Sequence, residues 1–126
     1  MKRISFDRRF VNKAGNDLVP GKIHTIRQNY EYWKRFAGRE AALFTWEGRP
    51  YRSKQNVFCV KRIVSVQEFE LHEYGSKYAW TADNRPIIGL ILSDNEGFYS
   101  FNDFVDWFAG YEPGKLAIVH FTDYRY

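Results

Sequence analysis

The pattern of apolar and polar residues along this chain predicts short strands broken by turns, with a well-marked helical period beginning at Ser100. Residues 2–6 (Lys-Arg-Ile-Ser-Phe) read as a short first strand, followed by a short helical or irregular crossing from Arg8 to a Pro20-Gly21 turn. A second strand is predicted over Ile23–Arg27. Asn29 is placed to cap a short helix over Tyr30–Ala37, with Trp33 and Phe36 inward and Gly38 as its stop. Glu40–Trp46 predicts a third strand, and Glu47-Gly48-Arg49-Pro50 a turn. Between Asn56 and His72, Phe58, Val60, Val64 and Val66 share one parity and Phe69 and Leu71 the other. A strand that changes its apolar face needs a bulge or bend, expected near Gln67-Glu68.

The second half reads less evenly. Tyr74–Asn84 is a polar excursion with a short strand at Tyr78–Thr81, and Pro86–Leu92 reads as another apolar strand. Ser100 and Asp103 form a capping-box-like pair ahead of Phe101, Phe104, Val105 and Phe108 at helical spacing, and Gly110 closes that helix. Leu116–Phe121 is apolar on both faces, as expected of a strand that is central or pinned under a helix. About six strands with two or three short helices and no strict βαβ alternation give an α+β class. A small mixed or closed barrel would hide so many strand edges.

A chain of 126 residues fits one domain and buries roughly two-thirds of its unfolded surface, enough for a core without staples. Eleven Phe, nine Tyr and four Trp exceed what ligand contacts need, so most of these rings belong to that core. The net charge of +4 comes from scattered basic residues and suits an anionic or nucleic-acid partner. Cys59 is the single cysteine, which excludes an intrachain disulfide and a thiolate metal cluster. His24, His72 and His120 show no HxxxH or HExxH spacing, so no metal site is expected and no cofactor is implied. No apolar stretch follows the first basic residues and none approaches a membrane span, which makes the cytoplasm the default location.

The segment Gly21-Lys22-Ile23-His24-Thr25-Ile26-Arg27 carries the densest chemistry. It holds an ammonium, a hydroxyl and a guanidinium within six positions. Such a set can activate a hydroxyl as a nucleophile or grip a polar, nucleotide-like ligand. In a regular strand Thr25 and Arg27 share a face and Lys22 lies on the other, so Lys22 reaches Thr25 only if the chain bends at Gly21. The bland alternatives are a β-branched strand residue at 25 and an exposed turn lysine at 22.

Gly21-Lys22-x-x-Thr25-x-Arg27, with Glu96-Gly97-Phe98-x-Ser100-x-x-Asp103-Phe104 about seventy residues later, resembles the ASCH domain family of the PUA-like superfamily. Its usual signature is Gly-x-Lys-x-x-Glu-x-Arg. Thr25 in place of the glutamate resembles the N4-acetylcytidine amidohydrolase branch, which uses a Lys, Thr and Glu set. The chain departs from the pattern in the adjacency of Gly21 and Lys22, in Gly38-Arg39 where a Gly-Asp turn is usual, and in an insertion over Trp46–Gln55. The resemblance implies a PUA-like mixed barrel and a catalytic set of Lys22, Thr25 and Glu96. Arg27, His24, Tyr51, Arg52 and Lys54 are assigned to ligand binding.

Amide hydrolysis needs a nucleophile, its base, and a group that stabilises the oxyanion or protonates the leaving amine. Thr25 would be the nucleophile and Lys22 its base, provided that burial or Arg27 lowers the amine from ~10.4. Glu96 would orient Lys22 or shuttle a proton. Its alternative role is a loop carboxylate near a helix N-terminus, where negative charge is favourable. A second reading is an RNA-binding module, because basic and aromatic residues interleave in Tyr30-x-x-Trp33-Lys34-Arg35 and Tyr51-Arg52-x-Lys54. RNA cleavage ranks last, for want of a general base.

Overall fold

The computed structural model describes residues 1–74, 77–109 and 115–126. Strand β1 (Lys2–Ser5) leads into a 3₁₀ turn over Arg8–Phe10, then β2 (His24–Gln28) and the short helix α1 (Tyr30–Trp33), which tightens to 3₁₀ over Lys34–Phe36. Strands β3 (Glu40–Trp46), β4 (Gln55–Arg62), β5 (Ser65–Tyr74), β6 (Lys77–Ala82) and β7 (Arg85–Ile87) follow. Helices α2 (Gly89–Asn95) and α3 (Phe101–Phe108) precede the last strand, β8 (Leu116–His120). No helix among the described residues is long and apolar enough to cross a membrane.

The α+β class stands, but the strands among the described residues do not close into a barrel. They form a three-stranded sheet in the order β1-β3-β4 and a five-stranded sheet in the order β2-β8-β5-β6-β7. The division lies where the sequence expected one bent strand. Ile63, fully buried, is bonded through both its N–H and C=O to Arg39 and Gly38 beside the first sheet. The next N–H, of Val64, reaches His120 of the second sheet at 2.8 Å. The change of apolar parity falls inside β5 without a bulge: Val64 and Val66 are only half-buried, the inward face is that of Gln67 and Phe69, and Gln67-Glu68 lies in regular pairing with Ile118-Ala117. A bulge does occur, but at Phe58. Leu43 faces Cys59 while Phe44 faces Val57, leaving one extra residue on β4.

β8 lies between β2 and β5 with all five residues buried, as its two-faced apolar pattern requires. Helix α3 carries Phe104 and Phe108 into the core, and Ser100 Oγ caps it by accepting from Asp103 N–H at 3.1 Å. Gly110, its expected stop, lies outside the described residues. Within the polar excursion the expected strand at Tyr78–Thr81 is present as β6, which runs back along β5. A turn at Asp83-Asn84, both left-handed, joins it to β7.

The expected strand over Pro86–Leu92 is overturned. Only Pro86 and Ile87 are extended, and the chain then coils into α2. The apolar run is misleading because Ile88, Leu90 and Ile91 are exposed while Leu92 and Ser93 face inward. Gly89 lets the helix start against the aromatic layer, since a Cβ there would lie 2.5 Å from the Trp80 ring.

Candidate active site

Two glycine-dependent turns bring the site together. Gly21 adopts φ +90°, and the backbone then delivers Lys22 inward, its N–H returning to Val19 C=O at 3.2 Å. The second turn ends α2. Phe98 N–H donates to Ser93 C=O and Gly97 N–H to Asp94 C=O, a Schellman closure with Gly97 at φ +86°. Glu96 is the C-cap of that helix, not a carboxylate at a helix N-terminus. Gly97 has a second reason to be glycine. A Cβ on it would lie 2.8 Å from Lys22 Cβ, so the two turns interlock.

A carboxylate at a helix C-terminus opposes the helix dipole, and here the opposition is answered locally. Lys22 Nζ donates to the Glu96 backbone carbonyl at 2.6 Å and lies 3.2 Å from Glu96 Oε1. β2 is an edge strand, and Glu96 Oε2 accepts its outward Ile26 N–H at 2.8 Å. His24 Nδ1 approaches Oε1 at 2.9 Å. Burial alone pushes the Glu96 carboxyl up. The Lys22 charge, His24 and the Ile26 N–H together outweigh it and hold the group below its ordinary range. For Lys22 the balance runs the other way. Burial, aided by the Arg27 charge, lowers the ammonium from its usual value although Glu96 opposes that shift.

Thr25 and Arg27 share one face of β2, as their spacing predicts. Arg27 Nε donates to Thr25 Oγ1 at 3.1 Å, and its Nη2 donates to Ser5 C=O. The guanidinium lies over the Phe6 ring at 5.0 Å from its centroid, and Lys22 Nζ over the Phe10 ring at 4.4 Å. Lys22 and Thr25 do not hydrogen-bond each other directly; each amine or hydroxyl contact goes to Glu96 or Arg27 respectively.

Lys22, Thr25, Arg27 and Glu96 line one pocket of about 310 Å³. Its walls come from Phe6, Phe10, Trp46, Pro50, Tyr51 and Trp107, with Asp7 among the polar residues. Trp46 and Tyr51 lie 5.2 Å apart, and Tyr51 stands 90% exposed at the mouth with a left-handed φ of +64°. The Trp46–Gln55 insertion thus supplies part of the wall.

The remaining sequence candidates fall elsewhere. Arg52 and Lys54 are exposed on the same loop and do not line the pocket. His24 is fully buried beneath it, with both ring nitrogens engaged, so it supports Glu96 instead of touching a ligand. Strand parity carried that signal, because residue 24 faces away from Thr25. Asp7, Phe10, Trp46 and Trp107 were missed as site residues; they arrive from segments distant in sequence, and no local spacing marks them. Among the described residues, no group of three or more His, Cys, Asp or Glu is placed to hold a metal ion. No protein-family model, curated protein or solved structure matches the chain.

Proposed function

We propose that this pocket hydrolyses the amide of an N-acylated cytidine or a similar nucleotide-like molecule, in a domain related to the ASCH branch of the PUA-like superfamily. The observation that carries the reading is the convergence of Lys22, Thr25, Arg27 and Glu96 on one aromatic-walled pocket. Its volume falls at the small end of small-molecule sites. Trp46 and Tyr51 offer ring faces on which a base can stack, and the deep end holds the polar groups.

In this reading a neutral Lys22 amine takes the Thr25 proton as Thr25 Oγ1 attacks the acyl carbon. The C–O bond forms, the C–N bond breaks, and the nucleoside amine departs with the proton that Lys22 held. Water then cleaves the threonine ester and releases the carboxylic acid. Burial and Arg27 favour the neutral amine that the first step requires. Glu96 keeps the amine at the pocket floor.

The test is turnover of N4-acetylcytidine by wild type and by Thr25→Val, which removes the hydroxyl and keeps the shape. Acetate release by the wild type, lost in the variant with ligand affinity retained, supports the reading. Undiminished turnover in Thr25→Val excludes Thr25 as nucleophile.

A non-catalytic RNA-binding module is the second reading, favoured by cations next to the residues of the pocket wall. Arg9 lies over the Trp107 ring at 5.1 Å, Arg8 braces the backbone of Trp46 and Glu47, and Arg49 and Arg52 flank Pro50-Tyr51. Salt-sensitive RNA binding without turnover of any acylated nucleoside would select it.

A further inference from the structure

Beneath the pocket, a chain of hydrogen bonds leads to Glu96 from residues outside the catalytic set. Asn95 Nδ2 donates to the Tyr126 hydroxyl at 3.0 Å, that hydroxyl lies 2.6 Å from His24 Nε2, and His24 Nδ1 lies 2.9 Å from Glu96 Oε1. Chemistry sets the direction of each link. The Glu96 carboxylate only accepts, so Nδ1 carries the imidazole hydrogen. A neutral ring with its hydrogen on Nδ1 leaves Nε2 to accept the Tyr126 proton, while the Tyr126 oxygen accepts from Asn95. The chain is complete with a single neutral tautomer of His24.

Its far end is anchored as well. Gln67, buried on β5, accepts from Tyr126 N–H at 2.9 Å and donates to Tyr126 C=O at 3.0 Å. The Gln67 carbonyl also takes the His120 Nε2 hydrogen at 2.8 Å. His120 in turn lies edge-on to His24, with ring centroids 5.3 Å apart. An apolar side chain at position 24 would fill the same space without the cost of burying two ring nitrogens. The arrangement therefore serves the carboxylate that it reaches.

We propose that His24, Tyr126 and Asn95 are positioning residues that fix the Glu96 carboxylate and, through it, the Lys22 amine against the pocket. The segment after β8 is thereby part of the site. The inference rests on the hydrolase reading only for its effect on turnover; the hydrogen-bond chain is testable without substrate. Glu96 is faced by Lys22, His24 and the Ile26 N–H. Lys22 is faced by Glu96, the field of Arg27, and the Phe10 and Phe6 rings. Loss of the His24 donor would leave Oε1 with Lys22 alone, free to swing.

The experiment uses the full chain without ligand: long-range ¹H–¹⁵N correlation spectra of the imidazoles, and the titration of Lys22 read at its ¹³Cε. Wild type, Tyr126→Phe, His24→Asn and His24→Leu are compared. His24 in the wild type should show one neutral tautomer, with Nδ1 protonated. In His24→Asn the amide nitrogen takes the place of Nδ1 and still reaches Glu96, so the Lys22 titration should stay near that of the wild type. In His24→Leu, which keeps the bulk, and in Tyr126→Phe, it should move downward as a loosened Glu96 opposes burial less. With N4-acetylcytidine as probe, kcat should fall ~10–100-fold in Tyr126→Phe and His24→Leu with KM little changed, and His24→Asn should recover most of it. A wild-type His24 protonated on Nε2 at neutral pH would overturn the proposal, as would a Lys22 titration common to all four proteins. No turnover by a wild type that has the expected spectra would remove the hydrolase reading and leave the positioning chain standing.

Discussion

Replacing Lys22 by methionine keeps the length of the side chain but leaves the Glu96 carboxylate buried without its cation. The lysine side chain is 2% exposed and the glutamate 4%, so water cannot take over the lost role. Removing one partner of a buried pair costs about 3–5 kcal/mol. Glu96 keeps the His24 and Ile26 hydrogen bonds, which places this variant near the lower end, about 3 kcal/mol. Glu96→Gln alone also destabilises, because its NH₂ must face either the Ile26 N–H or the His24 and Lys22 donors that the carboxylate accepted. Lys22→Met with Glu96→Gln should cost less than the sum of the singles by about 1–3 kcal/mol, the coupling of the pair. Urea unfolding followed by tryptophan fluorescence measures all four corners of the cycle. The pH dependence has a definite sign. Without the Lys22 charge the Glu96 carboxyl rises from its wild-type position, so folding gains relative to wild type as the group protonates. The deficit of Lys22→Met should therefore shrink as pH falls through 4.5, the ordinary glutamate value. A Lys22→Met cost under about 1 kcal/mol, or an additive cycle, would refute the account of a mutually dependent buried pair.

Gly97→Ala should destabilise by at least about 1–2 kcal/mol from its left-handed backbone alone, and by more because the new methyl meets Lys22 Cβ; a melting temperature equal to wild type would contradict the interlocked turns. His120 is held to about 3, chiefly by burial and also by the Arg125 charge. The unfolded chain therefore binds the extra proton between about 6.5 and 3, and stability should drop as pH falls through that window, by at most about 1.4 kcal/mol per pH unit from this group. His120→Leu should flatten that limb of the stability profile, and an unchanged slope would assign the acid sensitivity to other groups.

How far the sequence could be read depended on whether the deciding contacts were local. Helix α3 was legible because Ser100 and the spaced phenylalanines belong to one amphipathic turn pattern, and β3 and β8 because their apolar runs are bounded by polar residues. Helix α2 was hidden by Ile87-Ile88-Gly89-Leu90-Ile91-Leu92, an apolar run whose periodicity fits either state. Its true marker was Gly97, the left-handed residue just past its end. The crossing between sheets at Ile63-Val64 carries no Gly or Pro, and only bonds to Gly38, Arg39 and His120 define it. At the site, Lys22, Thr25 and Arg27 were visible as a local cluster. The depth of Lys22 followed from Phe10 and Glu96, and the role of His24 from Tyr126, contacts that no spacing encodes.

The central claim is that Thr25 attacks the acyl group of a nucleoside amide. Rapid quenching of wild type and of Thr25→Val with N4-acetylcytidine, followed by peptide mass spectrometry, tests it most directly. An acetyl adduct on Thr25 of the wild type should form and decay as acetate appears, with neither adduct nor acetate in the variant. Acetate released at the wild-type rate by Thr25→Val, or an adduct that maps to another residue, would contradict it.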